Sequence, residues 1–498
     1  MKNFRFWILD FGLKQAAGWR LETGGKYQPS CASDVQLETR NSKLVTPNQG
    51  TILVVTMWLL LGLTALVLVL SQTMRVEALA SANNQAAAEA QAIEDAAIQY
   101  ILSRVDGLEG IMPDEVDMPC AGIRVGSGAF WIINPNPANN LQTNQYNFSL
   151  VDEAGKVNLN TATVTTLQKL PLDMDTPDAI LDWRDTDSTV RTGGAESEYY
   201  LLLSDPYECK NANFETVGEL ALVKGATAEL LYGEDANRNG LLDENEDDAN
   251  LTDPPDNSDG KLDRGLLDLV TVYSREPNST GRINVNTANQ IAIQQLISQN
   301  IPNANARNLA SRIVAGRQYQ NIIDFYFRSG LTREQFDPIT YLVGADNTQN
   351  KTGLINVNTA PTEVLYTLNG LDEADVNVLI GRRDLETAGS TSIAWVTEAL
   401  PRNKAIAIGS QITGRTCQFG ANILSVAGNG RAFKRCWVVV DASDSPPRVL
   451  YRQDTTALGW PLPGSVMQEL RAGLGIDQVI TNQGMGTVTG TGMGNIAW

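Results

Sequence analysis

The longest apolar stretch fixes the first element. Residues 51 to 71, T-I-L-V-V-T-M-W-L-L-L-G-L-T-A-L-V-L-V-L-S, contain no charge, and as a helix they span about 31 Å, one bilayer crossing. A soluble core rarely contains so long an apolar run, so the pattern predicts a membrane-spanning helix. Beyond it the spacing stays helical: ten alanines fall between Ala78 and Ala97, and Ala86, Ala90, Ile93, Ala97, Ile101 and Val105 form one stripe. A continuous helix from Thr51 to about Val105 is expected. Alternating apolar positions at Ile123 to Asn134, at Tyr146 to Asn158 and between Ile406 and Leu462 predict antiparallel strands, suited to close as one sheet over that helix.

Between these strand regions the chain repeats itself. V-N-L-N-T-A at Val157 to Ala162 returns as I-N-V-N-T-A at Ile283 to Ala288 and again at Ile355 to Ala360, with unequal spacings of 126 and 72 residues. Each copy reads as a short strand followed by a helix, with Asn160, Asn286 or Asn358 placed to cap the helix and Pro361 suited to a first turn. The stretch from about 161 to 402 is therefore expected to be a helical insert that splits the sheet in sequence. The fold class is α+β.

Composition narrows the chemistry. The 498 residues include no histidine, which excludes Ser-His-Asp, Cys-His and histidine-zinc sites. Against 57 Asp and Glu stand 38 Lys and Arg, a formal charge of -19 that suits hard cations and disfavours nucleic acid. Arg40 and Lys43 precede the apolar run and the chain after Glu77 is acidic on balance, which places residues 1 to 50 in the cytoplasm and the larger part outside.

The acidity concentrates between Glu234 and Asp268, with twelve acidic and three basic residues. There Asp235, Asn237, Asn239, Gly240, Asp243 and Glu246 occupy positions 1, 3, 5, 6, 9 and 12 of an EF-hand-type loop, and Leu241 would offer its carbonyl at position 7. Such spacing converges oxygens on one calcium ion, with Glu246 closing the sphere. Asp256, Ser258, Asp259 and Asp263, around Gly260, form a second candidate with the turn and some oxygens but the wrong spacing and no closing Glu. Five cysteines are present. Cys417 with Cys436 across adjacent strands, and Cys120 with Cys209, are the candidate disulfides of an oxidising compartment, buried free thiols being the alternative.

Gly50 stands directly before the apolar run, behind a basic segment, and resembles the cleavage point of a prepilin. Cutting there makes Thr51 the first mature residue, the position that is methylated in this class, and Val55 the fifth, where most pilins and pseudopilins carry Glu. The K-type minor pseudopilins of type II secretion lack that Glu. The repeat resembles two families, the inserted helical domain of general secretion pathway protein K and the helix-hairpin-helix module of DNA-binding competence proteins. In the hairpin, DNA binders use a Gly-apolar-Gly turn; Gly370, Leu371 and Asp372 put a carboxylate where a DNA phosphate would sit, and Pro171, Leu172 and Asp173 contain no Gly at all. Asp182, Trp183, Arg184, Asp185, Thr186 and Asp187 look like the secretion family's D-W-x-D-x-D signature, as Val151 to Ala162 looks like its strand-to-helix segment.

The resemblance implies a leader at 1–50, a membrane and pilin helix at 51–105, a pilin-like sheet in two parts at 106–160 and 403–470, a helical insert at 161–402 with helix-hairpin-helix or SAM-like modules and a calcium segment at 234–268, and a Gly/Thr-rich tail at 471–498. Fifty residues is long for such a leader, and 1–39 contain nothing like one. The family implies a non-enzymatic subunit of the inner membrane and periplasm, at the pseudopilus tip with I-type and J-type minor pseudopilins above the major pseudopilin filament, processed by prepilin peptidase, calcium-bound, and in contact with secretin or exoprotein. Its rivals are a membrane-anchored DNA-uptake receptor and an anchored hydrolase using Asp182, Asp185 and Asp187 as acid-base groups or metal ligands.

Overall fold

The computed structural model describes residues 49–135, 145–249, 251–252, 254–277, 282–347, 351–387 and 389–485. The leader expected at 1–50 thus lies outside the described residues apart from its last two positions, and so does the tail after Met485. The chain divides into two units, Met1–Thr73 and Met74–Trp498. The described part of the first is helix α1, Gln49–Val105, which continues into the second. Its apolar segment has a mean hydropathy of 2.7 and buries none of that surface, so the helix has the length and composition to cross a membrane.

In the second unit, the alanine-rich end of α1 packs on a sheet. β1 (Ile123–Val125) and β2 (Gly128–Ile133) form a hairpin whose two-residue turn places Gly126 at φ +60°, a conformation open to glycine at little strain. β3 (Val151–Asp152) and β4 (Val157–Asn158) follow. The insert then runs through β5 (Val270–Thr271), β6 (Arg275–Glu276), β7 (Ile283–Asn284), β8 (Val343–Gly344), β9 (Lys351–Thr352), β10 (Ile355–Asn356) and β11 (Ile412–Thr413). The long strands β12 (Gln418–Val426), β13 (Phe433–Asp441) and β14 (Arg448–Asp454) close the sheet in the order β1-β2-β12-β13-β14, with β3 also on β12 and every pair antiparallel. Trp131 of β2 faces Leu424 of β12, so chain on either side of the insert forms one sheet.

Period-two alternation sorts the sheet's residues onto two buried faces. Phe130, Ile132, Phe419, Ala421, Ile423 and Val438 meet Ile93, Ala97 and Ile101 of α1. Ala129, Trp131, Ile133, Leu424 and Val426 meet the C-terminal helices Gly464–Arg471 and Ile476–Gln483. That corrects the expectation for 471–498: Ile476, Val479 and Met485 are buried, so the chain to Met485 is part of the body. Ile406 likewise belongs to a helix, Arg402–Ile408, and strand structure resumes at Ile412. Polar bonds fix the register of α1: Ser425 Oγ donates to the Ala90 carbonyl at 2.9 Å, and Gly428 N donates to Glu89 at 3.2 Å.

The repeats share one local geometry. In each, the first Asn side chain accepts from the second Asn's backbone N–H: Asn158 from Asn160 at 2.9 Å, Asn284 from Asn286 at 2.8 Å, Asn356 from Asn358 at 3.0 Å. Each strand pairs in parallel with a returning one: β4 with β5, β7 with β8, β10 with β11. The second Asn does not cap the following helix as expected. Thr163 and Asn289 cap two of those helices, and no side chain caps the third after Pro361. Instead the amide pins a distant loop: Asn160 bonds Phe214, Asn286 bonds Tyr319 and Ala345, and Asn358 bonds Ser390 and Gly414. An arginine at the end of the second helix or just past it clamps each turn: Arg184 on the Leu159 and Ala162 carbonyls, Arg317 on Val285 and Ala288, Arg383 on Ala360. One continuous core from Val157 to Ile412 joins the repeats.

Candidate functional site

The acidic loop folds around its own carboxylates. Asp235 accepts from Asn239 N at 2.9 Å and Gly240 N at 2.8 Å, and Glu246 accepts from Ala236 N at 3.1 Å and Asp243 N at 3.0 Å. Arg238 and Gly240, at positions 4 and 6, take φ of +52° and +78°, the sharp turn the spacing called for. Asp235, Asn239 and Glu246 are buried. Burial pushes Asp235 up to about 6, with Asp268 adding to it, and pushes Glu246 up to about 7, with Asp235 and Asp243 adding. Excess negative charge in a desolvated loop is what a cation would neutralise.

Among the described residues no three acidic or thiol side chains converge on one point as they stand. In this loop two of the positions are amides, and Asn237 and Asn239 turn their Nδ2 groups to Asp243 at 2.6 and 3.0 Å. The Asn237 Oδ1 is buried without a partner. Rotating the Asn237 amide by half a turn exchanges nitrogen for its unpartnered oxygen at Asp243, which fits an incoming cation, while the Asn239 Oδ1 already accepts from Leu241 N.

The second candidate has the same fold in a shifted register. Asn257 donates to Asp263 at 2.7 Å as Asn237 does to Asp243, and Lys261 N donates to Asp259 at 2.8 Å as Leu241 N does to Asn239 at 2.7 Å. Ser258 and Gly260 repeat the left-handed pair at φ +57° and +71°. The closing carboxylate comes from outside the loop: Glu234 accepts from Asn257 N at 3.1 Å and Asp263 N at 2.9 Å, the second matching the bond of Glu246 with Asp243 N in the first loop. Asp256 and Ser258, expected as ligands, bond each other at 3.0 Å.

This segment is seated on the sheet. Arg435 of β13 is fully buried and donates to the Asn237 and Arg238 carbonyls at 2.5 and 2.9 Å and to Asn422 of β12 at 3.1 Å. Arg238 pairs with Asp268 and lies 5.8 Å over the Trp437 ring. The acidic loop therefore joins insert to sheet.

Elsewhere the expected sites fare unevenly. Asp182, named as an acid-base or metal candidate, is fully buried and bound to Arg191 at 2.5 Å. Asp372 caps the helix Glu373–Arg383, accepting from Asp375 N at 3.0 Å and pairing with Lys404 at 3.2 Å, so a carboxylate of the chain itself holds the position a DNA phosphate would need. Cys120, Cys209, Cys417 and Cys436 are buried free thiols. The register explains it: Cys436 faces Ile423, whereas Cys417 precedes Gln418, which faces Asp441. Cys120 and Cys209 lie in separate cores. Gly50, Thr51 and Val55 lie in the first turns of α1, with Val55 exposed.

Residues 145–232 match the family model described as Type II secretion system (T2SS), protein K. No curated protein matches the chain. The crystal structure of the GspK-GspI-GspJ complex from the type 2 secretion system of enterotoxigenic Escherichia coli aligns over 77% of this chain and 98% of its own, at 11% identity and a TM-score of 0.37. The weight rests on the family model, whose segment runs through β3, β4, the first repeat and the Asp182 to Asp187 signature. Over residues 145–232 the chain is similar to protein K of the type II secretion system.

Proposed function

We propose that the chain is the tip subunit of a type II secretion pseudopilus, a non-enzymatic minor pseudopilin that starts filament assembly and so supports export of folded proteins across the outer membrane. One observation carries the reading: a helix lies on a sheet whose strands β2 and β3 pair with β12 across the insert, and the protein K match falls where that insert begins. A single span, Thr51 to Ser71, anchors it in the inner membrane with the remainder in the periplasm. Prepilin peptidase cuts after Gly50 and leaves a methylated Thr51. With Val55 at the fifth mature position, the subunit lacks the carboxylate that would pair with the N-terminus of a subunit above it, as suits a tip.

Its partners in this reading are I-type and J-type minor pseudopilins, with the major pseudopilin filament below and secretin or exoprotein beyond. Calcium belongs to the same reading. Asp235, Asn237, Asn239, the Leu241 carbonyl, Asp243 and Glu246 would hold one ion, and Asn257, Asp259, Asp263 and Glu234 a second. The ion would supply positive charge to buried carboxylates and so stiffen the segment that Arg435 joins to the sheet.

Coexpression of the full chain with the I-type and J-type subunits of its own host tests the assembly role. A stable ternary complex, and loss of exoprotein secretion on deletion of the gene, are expected. No complex together with unchanged secretion would overturn the proposal. The DNA-receptor alternative gains nothing from Asp372 or from the net charge of -19.

A further inference from the structure

The three repeats differ in one charge pair. Each strand follows a Gly and one further residue, and in the first copy that residue, Lys156, pairs with Glu153 at 3.0 Å, both side chains buried. In the second copy Arg282 stands in place of Lys156 and Ser279 in place of Glu153; in the third, Leu354 and Lys351 hold those places. The two later copies each keep a cation and lack the acid. Both cations face one cavity of about 270 Å³, which Leu354 and the start of the helix Ile322–Ser329 also line. Arg282 lies against Gly344, and its Nε is buried without a hydrogen-bond partner.

We propose that the cavity over Arg282 and Lys351 is a binding pocket for an external carboxylate.

A buried guanidinium N–H without an acceptor is costly, and an anion that enters the cavity relieves that cost. The acids nearby are committed elsewhere. Asp346, which also lines the cavity, pairs with Lys351 at 3.5 Å, and Asp324 pairs with Arg328 at 3.0 Å. Glu276, opposite Lys351 in the register of β6 and β9, accepts from Thr413 Oγ1 at 2.7 Å. Among the described residues none of them pairs with Arg282, and the flanking residues 278–281 and 348–350 contain no Asp or Glu. Charge selects the ligand. Arg282 and Lys351 against Asp346 leave one positive charge at the cavity, which one carboxylate matches and a phosphate dianion exceeds. The planar guanidinium fork takes a carboxylate through two parallel bonds, and the helix N-terminus adds positive potential. The Glu153 carboxylate on Lys156 is the same pairing supplied from within the chain. An acidic side chain of a partner polypeptide and a small free carboxylate offer this chemistry equally, and the experiment separates them.

Full-length protein in detergent and chelator is melted at constant ionic strength with acetate replacing chloride, and with the blocked tripeptides Ala-Glu-Ala and Ala-Gln-Ala. Acetate and the Glu peptide are expected to raise the melting temperature saturably, and the Gln peptide to leave it unchanged. Arg282→Gln removes an unpaired charge, so it should melt no lower than the parent and bind both carboxylates at least about tenfold more weakly. If that variant does not fold, Gly344→Ala serves, because the added Cβ would meet Arg282 Nε and Nη2 at 2.9 Å and push the guanidinium off the cavity wall. A Glu peptide that binds more tightly than acetate assigns the pocket to a partner's acidic side chain; equal affinities assign it to the free ion. No shift in the parent, or the same shift in the folded variants, would overturn the pocket. Neither result depends on the assembly role or on calcium.

Discussion

Replacing Glu246 with Gln should reverse its effect on stability according to whether calcium is present. In the calcium-free protein the buried carboxyl is raised from 4.5 to about 7. A raised carboxyl contributes stability that is complete below the unfolded value and is lost as pH rises through the folded one. Between pH 4.5 and 7 the parent should therefore weaken, by roughly 3 kcal/mol at 1.36 kcal/mol per unit. Gln at this position keeps one acceptor for the Ala236 or Asp243 N–H and loses the other, at about 1 kcal/mol. At pH 8 in chelator the variant should then be more stable than the parent by about 1–2 kcal/mol. Calcium at a hundredfold excess over its Kd adds about 2.7 kcal/mol to the parent, and much less to a loop without its closing ligand. Thermal unfolding of both full-length proteins at pH 5 and 8, with chelator and with calcium, reads the crossing. A variant weaker than its parent under all four conditions, with no pH dependence to separate them, would refute the reasoning.

Other outcomes follow from the same geometry. Arg435→Met takes the donor from the Asn237 carbonyl and leaves the Arg238 carbonyl only Asn422 Nδ2 at 3.3 Å, and should cost about 3 kcal/mol while opening the segment 234–268 to limited proteolysis at temperatures where the parent resists. Thiol-specific alkylation without reductant should modify Cys120, Cys209, Cys417 and Cys436 completely in denaturant and only slowly in the native protein. Burial pushes Cys120 and Cys417 up to about 12 and Cys436 higher still, which suppresses the reactive thiolate. Cys417 and Cys436 left unmodified together after unfolding would contradict the register of β12 and β13.

Local periodicity carried much of this architecture in the sequence. The uncharged run at 51–71, the alanine stripe at Ala86 to Val105 and the alternation in β2, β12 and β13 each name their element because neighbours along the chain share its surface. The turn at 235–246 was legible for the same reason, since its ligands lie within twelve positions. What escaped depends on distance. Asn160, Asn286 and Asn358 look like caps until their partners, tens of residues onward, are known. Glu234 closes a loop that it precedes by more than twenty residues, so no spacing motif finds it. The disulfide expectation failed on register: the loop between Val426 and Phe433 fixes which residues face each other, and it sets Cys436 against Ile423. The helix Ile476–Gln483 was hidden by the Gly- and Thr-rich sequence around it, though Ile476 and Val479 already carried its apolar face.

The central claim is most directly tested at the membrane end of the chain. Full-length protein expressed with and without a prepilin peptidase should be compared by intact mass and N-terminal sequencing. Cleavage between Gly50 and Thr51, with one methyl group on the new Thr51 amine, is the result this account predicts. A chain that the peptidase leaves uncut would contradict it.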